Sequence, residues 1–267
     1  MHLPDRLNPA LGASRTSATD PGATDSAELA RERLIVALDV PDAAAALEMV
    51  DKLEQTCRWF KVGLELFVAA GPAVLEPLVA GGYSVFLDLK LHDIPNTVAG
   101  AVRSAAGMGA RMLTVHALGG PAMLRAAQET AAGVPDGPEL LAVTVLTSMD
   151  QAQMDAVGLG RTPSAEVEML ARMGREAGIR GFVCSPNEVG TLRALSGPEG
   201  VLVIPGIRPA GAASGDQKRV ATPAEALRNG ASYLVVGRPI TQAAQPAEAA
   251  EAILREMGEA LAAPEGQ

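Results

Sequence analysis

Four charged residues stand near the ends of three short apolar runs, where a buried strand normally carries no charge. Asp39 ends the first run, Lys61 interrupts the second, and Asp88 and Lys90 lie two apart in the third. Residues two apart in a strand point to the same face. Asp88 and Lys90 alone would fit a structural ion pair equally well, but four buried ions need mutual pairing or a charged ligand to offset lost hydration. The pattern therefore predicts an alternating Asp–Lys–Asp–Lys chain at a site for acid–base and electrostatic chemistry.

The elements that must position these residues are segments of two kinds, which alternate along the sequence. Short β-branched apolar runs predict strands, and Ala-, Leu-, Glu- and Arg-rich segments with helical spacing predict helices between them. The eight predicted strands are Leu34–Val40, Trp59–Gly63, Ser84–Lys90, Met112–Ala117, Leu140–Thr147, Gly181–Ser185, Val201–Pro205 and Tyr233–Gly237. The predicted helices are Ala43–Gln55, Pro72–Ala80, Thr97–Met108, Pro121–Ala131, Ser164–Ala177, Asn187–Leu195, Pro223–Arg228 and Pro246–Ala262.

Eight strand–helix repeats are the number that closes a parallel sheet on itself. The predicted fold is therefore an α/β protein with a (β/α)8 TIM barrel, in a single domain over residues 31–267. An open doubly wound sheet is the alternative, but its GxGxxG fingerprint does not follow the first strand. Residues 1–30 are rich in Ala, Ser, Thr, Pro and Gly without periodicity, which predicts a disordered N-terminal extension.

Two predicted βα loops are longer than the usual connection of about six residues. They span Ser148–Pro163 and Ile207–Thr222, after the fifth and seventh strands. Loops that follow barrel strands lie at the active-site face. The second contains Gly211, Ser214 and Gly215, which favours a mobile lid.

Two arginines predict a phosphate site at the same face. Arg208 follows the seventh strand, and Gly237 and Arg238 follow the eighth. The loops after these two strands often bind phosphate in barrels. A guanidinium supplies a charge-assisted fork, and a glycine allows close approach of the backbone. Either arginine alone would more often be a surface residue, but their paired positions favour the phosphate site.

Composition limits the partners of this chain. With 22 basic and 31 acidic residues the net charge is −9, which argues against broad nucleic-acid binding, and aromatic residues for base stacking are scarce. The expected ligand is a small anion. No run approaches the roughly 18 apolar residues of a membrane span, and no apolar signal segment begins the chain. We therefore expect a soluble, cytoplasmic protein without a membrane partner.

The spacing of possible ligands does not predict a metal site. Cys57 and Cys184 have no CxxC spacing, which argues against a zinc site or disulfide framework and favours a reducing compartment. No HxH or HExxH motif is present. Glu65 is expected to be a solvated residue at the start of a helix, and His116 to be a satisfied core histidine in preference to a pocket residue.

The segment Asp88-Leu89-Lys90-Leu91-His92-Asp93 resembles the Asp-x-Lys-x-x-Asp signature of the orotidine 5′-phosphate decarboxylase family. That signature alone is shared with related sugar-phosphate decarboxylases and hexulose-phosphate synthases. The resemblance, however, extends from about Leu34 to the last helix. Taken together, the segments that carry it are specific for the bacterial branch of this family. Its other segments are Ala37–Asp39, Phe60–Gly63, Val143–Ser148, Val183–Ser185, Pro205–Arg208, Asp216–Gln217, Arg219–Pro223 and Val235–Arg238.

The resemblance implies decarboxylation of orotidine 5′-phosphate to UMP and CO2, the last step of de novo pyrimidine nucleotide synthesis, without a cofactor. It implies that Lys90 protonates carbon 6 of the pyrimidine and that Asp88 faces the substrate carboxylate. Lys61 would hold the charged network and a ribose hydroxyl, and Asp93 would enter the site of the partner in a homodimer. The other implied substrate contacts are Asp39 to ribose, Ser148 to the pyrimidine amide edge, Thr97 and Thr147 to surrounding groups, and Arg208, Gln217, Gly237 and Arg238 to phosphate.

Two rival functions remain open at this point. A hexulose-phosphate synthase or keto-gulonate-phosphate decarboxylase on the same barrel would require a magnesium ion for an enediolate. A non-catalytic sensor of a phosphorylated ligand would need the phosphate site but not the Asp–Lys chain.

Overall fold

The computed structural model describes residues 21–209 and 220–263. Eight parallel strands form a closed barrel in which each strand pairs with the next and the last pairs with the first. The predicted barrel and its eight strands are therefore confirmed. The strands are β1 (Leu34–Ala37), β2 (Trp59–Gly63), β3 (Ser84–Leu91), β4 (Ala110–His116), β5 (Glu139–Val143), β6 (Gly181–Val183), β7 (Val201–Ile204) and β8 (Tyr233–Val236).

Helices surround this barrel in the described part of the chain. They are α1 (Pro21–Arg33), α2 (Ala43–Leu53), α3 (Leu64–Ala70), α4 (Leu75–Ala80), α5 (Pro95–Gly107), α6 (Gly120–Ala132), α7 (Gln151–Ala156), α8 (Pro163–Glu176), α9 (Val189–Ser196), α10 (Pro223–Arg228), α11 (Arg238–Thr241) and α12 (Pro246–Ala262). None of the described helices is long and apolar enough to cross a membrane.

Apolar residues fill both sides of the sheet. The larger core lies between the strands and the helices, where Phe60, Leu87 and Leu113 are fully buried. A smaller cluster fills the barrel interior and includes Trp59, Phe86 and Met112. Because both strand faces are covered, the strands read as continuous apolar runs, and a charge among them needs a specific partner.

Helix α1 corrects the predicted extent of the disordered segment. Residues 21–30 belong to a helix that packs along α12, with Ala30 fully buried. Arg58 forms ion pairs with Glu28 and Glu32, and its Nη1 lies 2.8 Å from Glu32 Oε1. Tertiary packing and these ion pairs stabilise a helix whose own sequence is only weakly amphipathic. Residues 1–20, the rest of the predicted extension, lie outside the described residues.

The two long loops differ in how much of each is described. The loop after β5 contains α7, whose first turn is closed by a capping box between Asp150 and Gln153. The loop after β7 is described only at its ends, where the Arg208 N–H donates to the Ala221 carbonyl at 2.9 Å. The predicted lid residues Gly211, Ser214 and Gly215 lie outside the described residues.

Candidate active site

A cavity of about 600 Å³ opens at the carboxyl ends of the barrel strands. One side of its wall is apolar and includes Val143, Val183 and Val235. The polar groups converge from the first three strands, from the loop after β5 and from the loops after the last two strands. Eight predicted site residues line this one cavity: Asp39, Lys61, Asp88, Lys90, Thr147, Arg208, Gly237 and Arg238.

The predicted Asp–Lys–Asp–Lys chain is present as a continuous series of contacts. Lys61 Nζ lies 2.9 Å from Asp39 Oδ1 and 3.7 Å from Asp88 Oδ2. Lys90 Nζ donates to both carboxylate oxygens of Asp88 at 2.8 Å. The Lys61 and Asp88 side chains are only 11% and 13% exposed, so water screens this pair weakly.

The strand that carries Asp88 and Lys90 is not regular at this point. Leu87 pairs with Leu113 and Leu91 with Val115, so four residue steps on β3 face two on β4. Lys90 adopts φ +50°, a left-handed conformation that is strained for a residue other than glycine. The assumption of an alternating strand is therefore wrong at Lys90, although its ammonium still reaches Asp88.

Thr114, which the sequence reasoning missed, stabilises this irregular strand. Its side chain is fully buried, and its Oγ1 accepts a hydrogen bond from the Lys90 N–H at 2.8 Å and donates to Asp88 Oδ1 at 3.0 Å. A threonine within an apolar run reads as an ordinary strand former, so its type carried no signal.

Gly63, the second residue that was missed, gives the Lys61 side chain its space. A Cβ on Gly63 would lie 2.7 Å from Lys61 Nζ and 3.2 Å from Asp39 Oδ1. An isolated glycine in a strand often marks such a close approach, and this signal was available in the sequence.

The predicted phosphate residues line the cavity after β7 and β8, and those after β8 lie beside Asp39, whose Oδ2 would be 3.8 Å from a Cβ on Gly237. Burial, and then the neighbouring charge of Arg238, lowers the pKa of Arg208. Two cations that disfavour each other's charge are suited to an anionic ligand. Gly237 lies at the end of β8, and the protein leaves room for a Cβ there, with Ala37 Cβ at 3.5 Å.

Four predicted site residues are not placed in this cavity. Ser148 is exposed in the turn after β5, next to Thr147. Asp93 and Thr97 are also exposed, beyond the end of β3, and Asp93 Oδ1 accepts the Ile94 N–H at 2.6 Å. Gln217 lies outside the described residues.

The remaining histidine and acidic candidates lie at the edge of the site. His116 is half-buried, stacks on His92 with ring centroids 5.3 Å apart, and accepts the Leu118 N–H at 3.4 Å. Burial, followed by the charges of His92 and Lys90, lowers the pKa of His116. Glu65 is exposed in the first turn of α3, as expected, although it also borders the cavity.

The two cysteines differ in their surroundings. Cys184 is buried in the cavity wall. Cys57 is buried away from it, and burial raises the pKa of its thiol to about 12. Within residues 21–209 and 220–263, no group of three or more His, Cys, Asp or Glu side chains is arranged to hold a metal ion.

Comparisons with known proteins agree with this geometry. Residues 32–253 match the model of the "Orotidine 5'-phosphate decarboxylase / HUMPS family". The chain is 57% identical over 222 residues to orotidine 5′-phosphate decarboxylase of Anaeromyxobacter dehalogenans, covering 83% of this chain and 96% of the relative. It is 53% identical over 227 residues to the enzyme of the same name from Nitrosococcus oceani, covering 85% and 98%.

A solved structure gives the same result in three dimensions. The crystal structure of orotidine 5′-phosphate decarboxylase from Lactobacillus acidophilus superposes with a TM-score of 0.75 at 41% identity, over 84% of this chain and 98% of that chain. The matched region includes every strand of the barrel and the Asp–Lys chain at its carboxyl end. This chain therefore belongs to the orotidine 5′-phosphate decarboxylase / HUMPS family.

Proposed function

We propose that this chain converts orotidine 5′-phosphate to UMP and CO2 without a cofactor, the last step of de novo pyrimidine nucleotide synthesis. Relatives that carry this enzyme name match at more than half identity over nearly their whole length. The observation that carries the proposal is the Asp39–Lys61–Asp88–Lys90 chain, which shares one cavity with Arg208 and Arg238.

The chemistry requires stabilisation of a poorly delocalised carbanion. When the bond from carbon 6 to the carboxylate breaks, CO2 leaves and the electron pair remains on carbon 6. An ammonium fixed beside that carbon stabilises the developing charge more strongly than water does, because it needs no reorganisation. The two 2.8 Å contacts of Lys90 to Asp88 support this role, and in this proposal the proton of Lys90 then transfers to carbon 6.

Asp88 has a separate role in this proposal. Its carboxylate would lie against the carboxylate of the substrate, a contact that is relieved as CO2 leaves. Phosphate binding far from the reacting carbon supplies the free energy that offsets this unfavourable contact. Arg208, Gly237, Arg238 and Gln217 would bind the phosphate, Asp39 and Lys61 the ribose, and Thr97, Thr147 and Ser148 the groups around the pyrimidine.

The direct test is turnover of orotidine 5′-phosphate by the purified chain, followed by the change in ultraviolet absorbance. We expect turnover that survives EDTA, because no step uses a metal ion. Activity that disappears with EDTA and returns with magnesium would favour the hexulose-phosphate synthase type of chemistry.

Lys90→Ala distinguishes an enzyme from a sensor of phosphorylated ligands. We expect this variant to lose turnover while still binding UMP, measured by calorimetry. Unchanged turnover would refute the role of Lys90, and ligand binding by the wild type without any turnover would favour the sensor.

We further propose that the chain acts as a homodimer in which Asp93, with Thr97, enters the site of the partner. Both are exposed and lie outside the cavity of their own subunit. Large apolar side chains are exposed on the connections after β2, β3 and β4: Leu64 at 53%, Val68 at 80%, Ile94 at 67% and Leu118 at 40%. These residues lie on neighbouring connections on both sides of Asp93 and Thr97, which supports an interface at this position.

Subunit mixing tests this arrangement. Asp93→Asn and Lys90→Ala chains are each expected to be inactive alone, and mixed dimers should regain part of the activity because one of the two sites receives both native residues. Subunit exchange is checked by mass spectrometry with one chain isotopically labelled. No recovery despite exchange would contradict a contribution of Asp93 across the interface.

The cellular setting is also a proposal. The two described cysteines are free thiols, which is typical of a reducing compartment, and the net charge of −9 disfavours nucleic-acid partners. We propose a cytoplasmic enzyme whose partners are its nucleotide substrate and its own second copy.

A further inference from the structure

We infer that Thr114 is the positioning residue of the reacting pair: its hydroxyl fixes the carboxylate of Asp88 and the backbone of Lys90 together. The expected effect on catalysis rests on the proposed function, whereas the contacts of Thr114 do not depend on that function. Thr114 lies on β4, and the two residues that it contacts lie on β3.

The bulge in β3 creates the need for such a residue. Between Leu87 and Leu91 the regular pairing with β4 is interrupted, so the Lys90 N–H has no regular ladder partner on that strand. A buried N–H without a partner is unfavourable. The Thr114 hydroxyl accepts this N–H at 2.8 Å and thereby supports the left-handed backbone of Lys90 at φ +50°.

The direction of the hydroxyl proton follows from its partners. The Lys90 N–H can only donate, so Thr114 Oγ1 must accept there, and its own proton remains for Asp88 Oδ1 at 3.0 Å. One atom thus fixes both where the Lys90 side chain begins and how the Asp88 carboxylate is oriented. The fully buried side chain has no alternative contact with solvent.

Catalysis depends on this fixed relation more than ligand binding does. Lys90 Nζ reaches both Asp88 oxygens at 2.8 Å only while backbone and carboxylate keep their places. A small displacement at the reacting carbon lowers the rate strongly. The phosphate residues Arg208 and Arg238 follow β7 and β8, which are not adjacent to β3 or β4 in the barrel, so loss of the hydroxyl should lower kcat and leave nucleotide affinity nearly unchanged.

Three variants test the inference. Thr114→Val keeps the shape and removes the hydroxyl, whereas Thr114→Ser keeps the hydroxyl and removes a methyl group. Thr144→Val is the matched control, because Thr144 is also fully buried but donates to the backbone carbonyl of Val183 at 3.3 Å, not to a charged residue. Each variant is measured by steady-state kinetics, UMP affinity, thermal unfolding and amide hydrogen exchange at Lys90.

We expect Thr114→Val to lower kcat about 10- to 150-fold, the effect of losing a hydrogen bond to a charged group. Its affinity for UMP should stay within about threefold of wild type. Thr114→Ser should recover most of kcat, and Thr144→Val should keep it. Exchange of the Lys90 amide should accelerate in Thr114→Val alone.

The results that overturn the inference differ from those that overturn the proposed function. Active wild type with a Thr114→Val variant of unchanged kcat refutes the inference and leaves the function standing. An equal loss of kcat in Thr144→Val, or no rescue by Thr114→Ser, assigns a merely structural role to Thr114. A wild type without turnover refutes the function, and Lys90 amide exchange then still decides whether Thr114 holds the bulge.

Discussion

Substitution of Gly63 by alanine should disable the site with little effect on the fold. The φ of Gly63 is −94°, a conformation that alanine adopts without strain. The new Cβ would, however, lie 2.7 Å from Lys61 Nζ, closer than real atoms approach. Because the Lys61 side chain is flexible, its ammonium moves and the backbone stays.

The size of the effect follows from the contacts that this movement breaks. Lys61 Nζ would lose its 2.9 Å contact to Asp39 and its 3.7 Å contact to Asp88. Loss of a hydrogen bond to a charged group costs about 1.5–3 kcal/mol, so kcat/KM should fall about 10- to 150-fold. Asp39 is 57% exposed, so the Lys61–Asp39 contact is worth only about 0–1 kcal/mol to folding. Loss of the longer but buried Lys61–Asp88 contact adds to this cost, and the Gly→Ala change returns about 0.4–1 kcal/mol through the unfolded chain.

Activity and stability should therefore separate. The assay is decarboxylation of orotidine 5′-phosphate at several substrate concentrations, with thermal unfolding of the same samples. Gly190→Ala is the control, because Gly190 lies exposed within α9 and its added Cβ would meet nothing within 4 Å. We expect that control to keep full activity.

Two outcomes would refute this reasoning. If Gly63→Ala keeps kcat/KM within about threefold of wild type, the Lys61 position does not limit catalysis. If the variant loses activity only in proportion to a loss of folded protein, the substitution acts on the fold and not on the site.

Three further perturbations test other parts of the molecule. Arg238→Ala should raise KM about 10- to 100-fold through loss of a charge-assisted phosphate contact; an unchanged KM in steady-state kinetics would contradict the phosphate site. Burial, followed by nearby positive charge, lowers the pKa of His116 below 6.5, so the unfolded chain binds the proton more readily and stability should decline as the pH falls below 6.5. His116→Asn, which can still accept the Leu118 N–H, should remove that part of the decline in urea unfolding at about pH 7 and about pH 5.5; an identical decline would contradict the assignment. Hydrogen bonds from the backbone and then the side chain of Thr222 lower the pKa of Glu225 below 4.5, so its stabilising effect is complete above pH 4.5 and is lost as the pH falls through the lowered pKa. Glu225→Gln should therefore flatten the acid limb of the stability profile, and a parallel profile would refute this.

The barrel was predictable because its strands are apolar on both faces. Runs such as Val201–Ile204 leave no choice of exposed side, and eight of them in alternation with helices restrict the topology. Four helices, α1, α3, α7 and α11, were not predicted from the sequence. α3, α7 and α11 have seven residues or fewer, so little of a helical period appears in them, although α10, with six residues, was predicted. α1 depends on packing against a segment more than 200 residues away.

The site residues were predictable where a charged residue interrupts an apolar run. They were not predictable where their position depends on backbone geometry or on a contact from another strand. Asp88 and Lys61 were identifiable because ions are costly within a strand. The bulge at Lys90 was not identifiable, because the φ of +50° at Lys90 is held by a contact from another strand. Thr114 could not be identified from the sequence either. A β-branched residue is common in strands, and its type does not show that its hydroxyl bonds to Lys90 and Asp88.

Pairing of β1 with β8 has a consequence for synthesis of the protein. Leu34 aligns with Leu234, so the first strand meets its last neighbour only after about 200 further residues have been added. At about 5–20 residues per second on the ribosome, β1 keeps one unpaired edge for about 10–40 s. Such an edge can pair with other chains. Closure of the sheet is thus a late step of assembly, and until β8 is made the open edge of β1 exposes the nascent chain to aggregation.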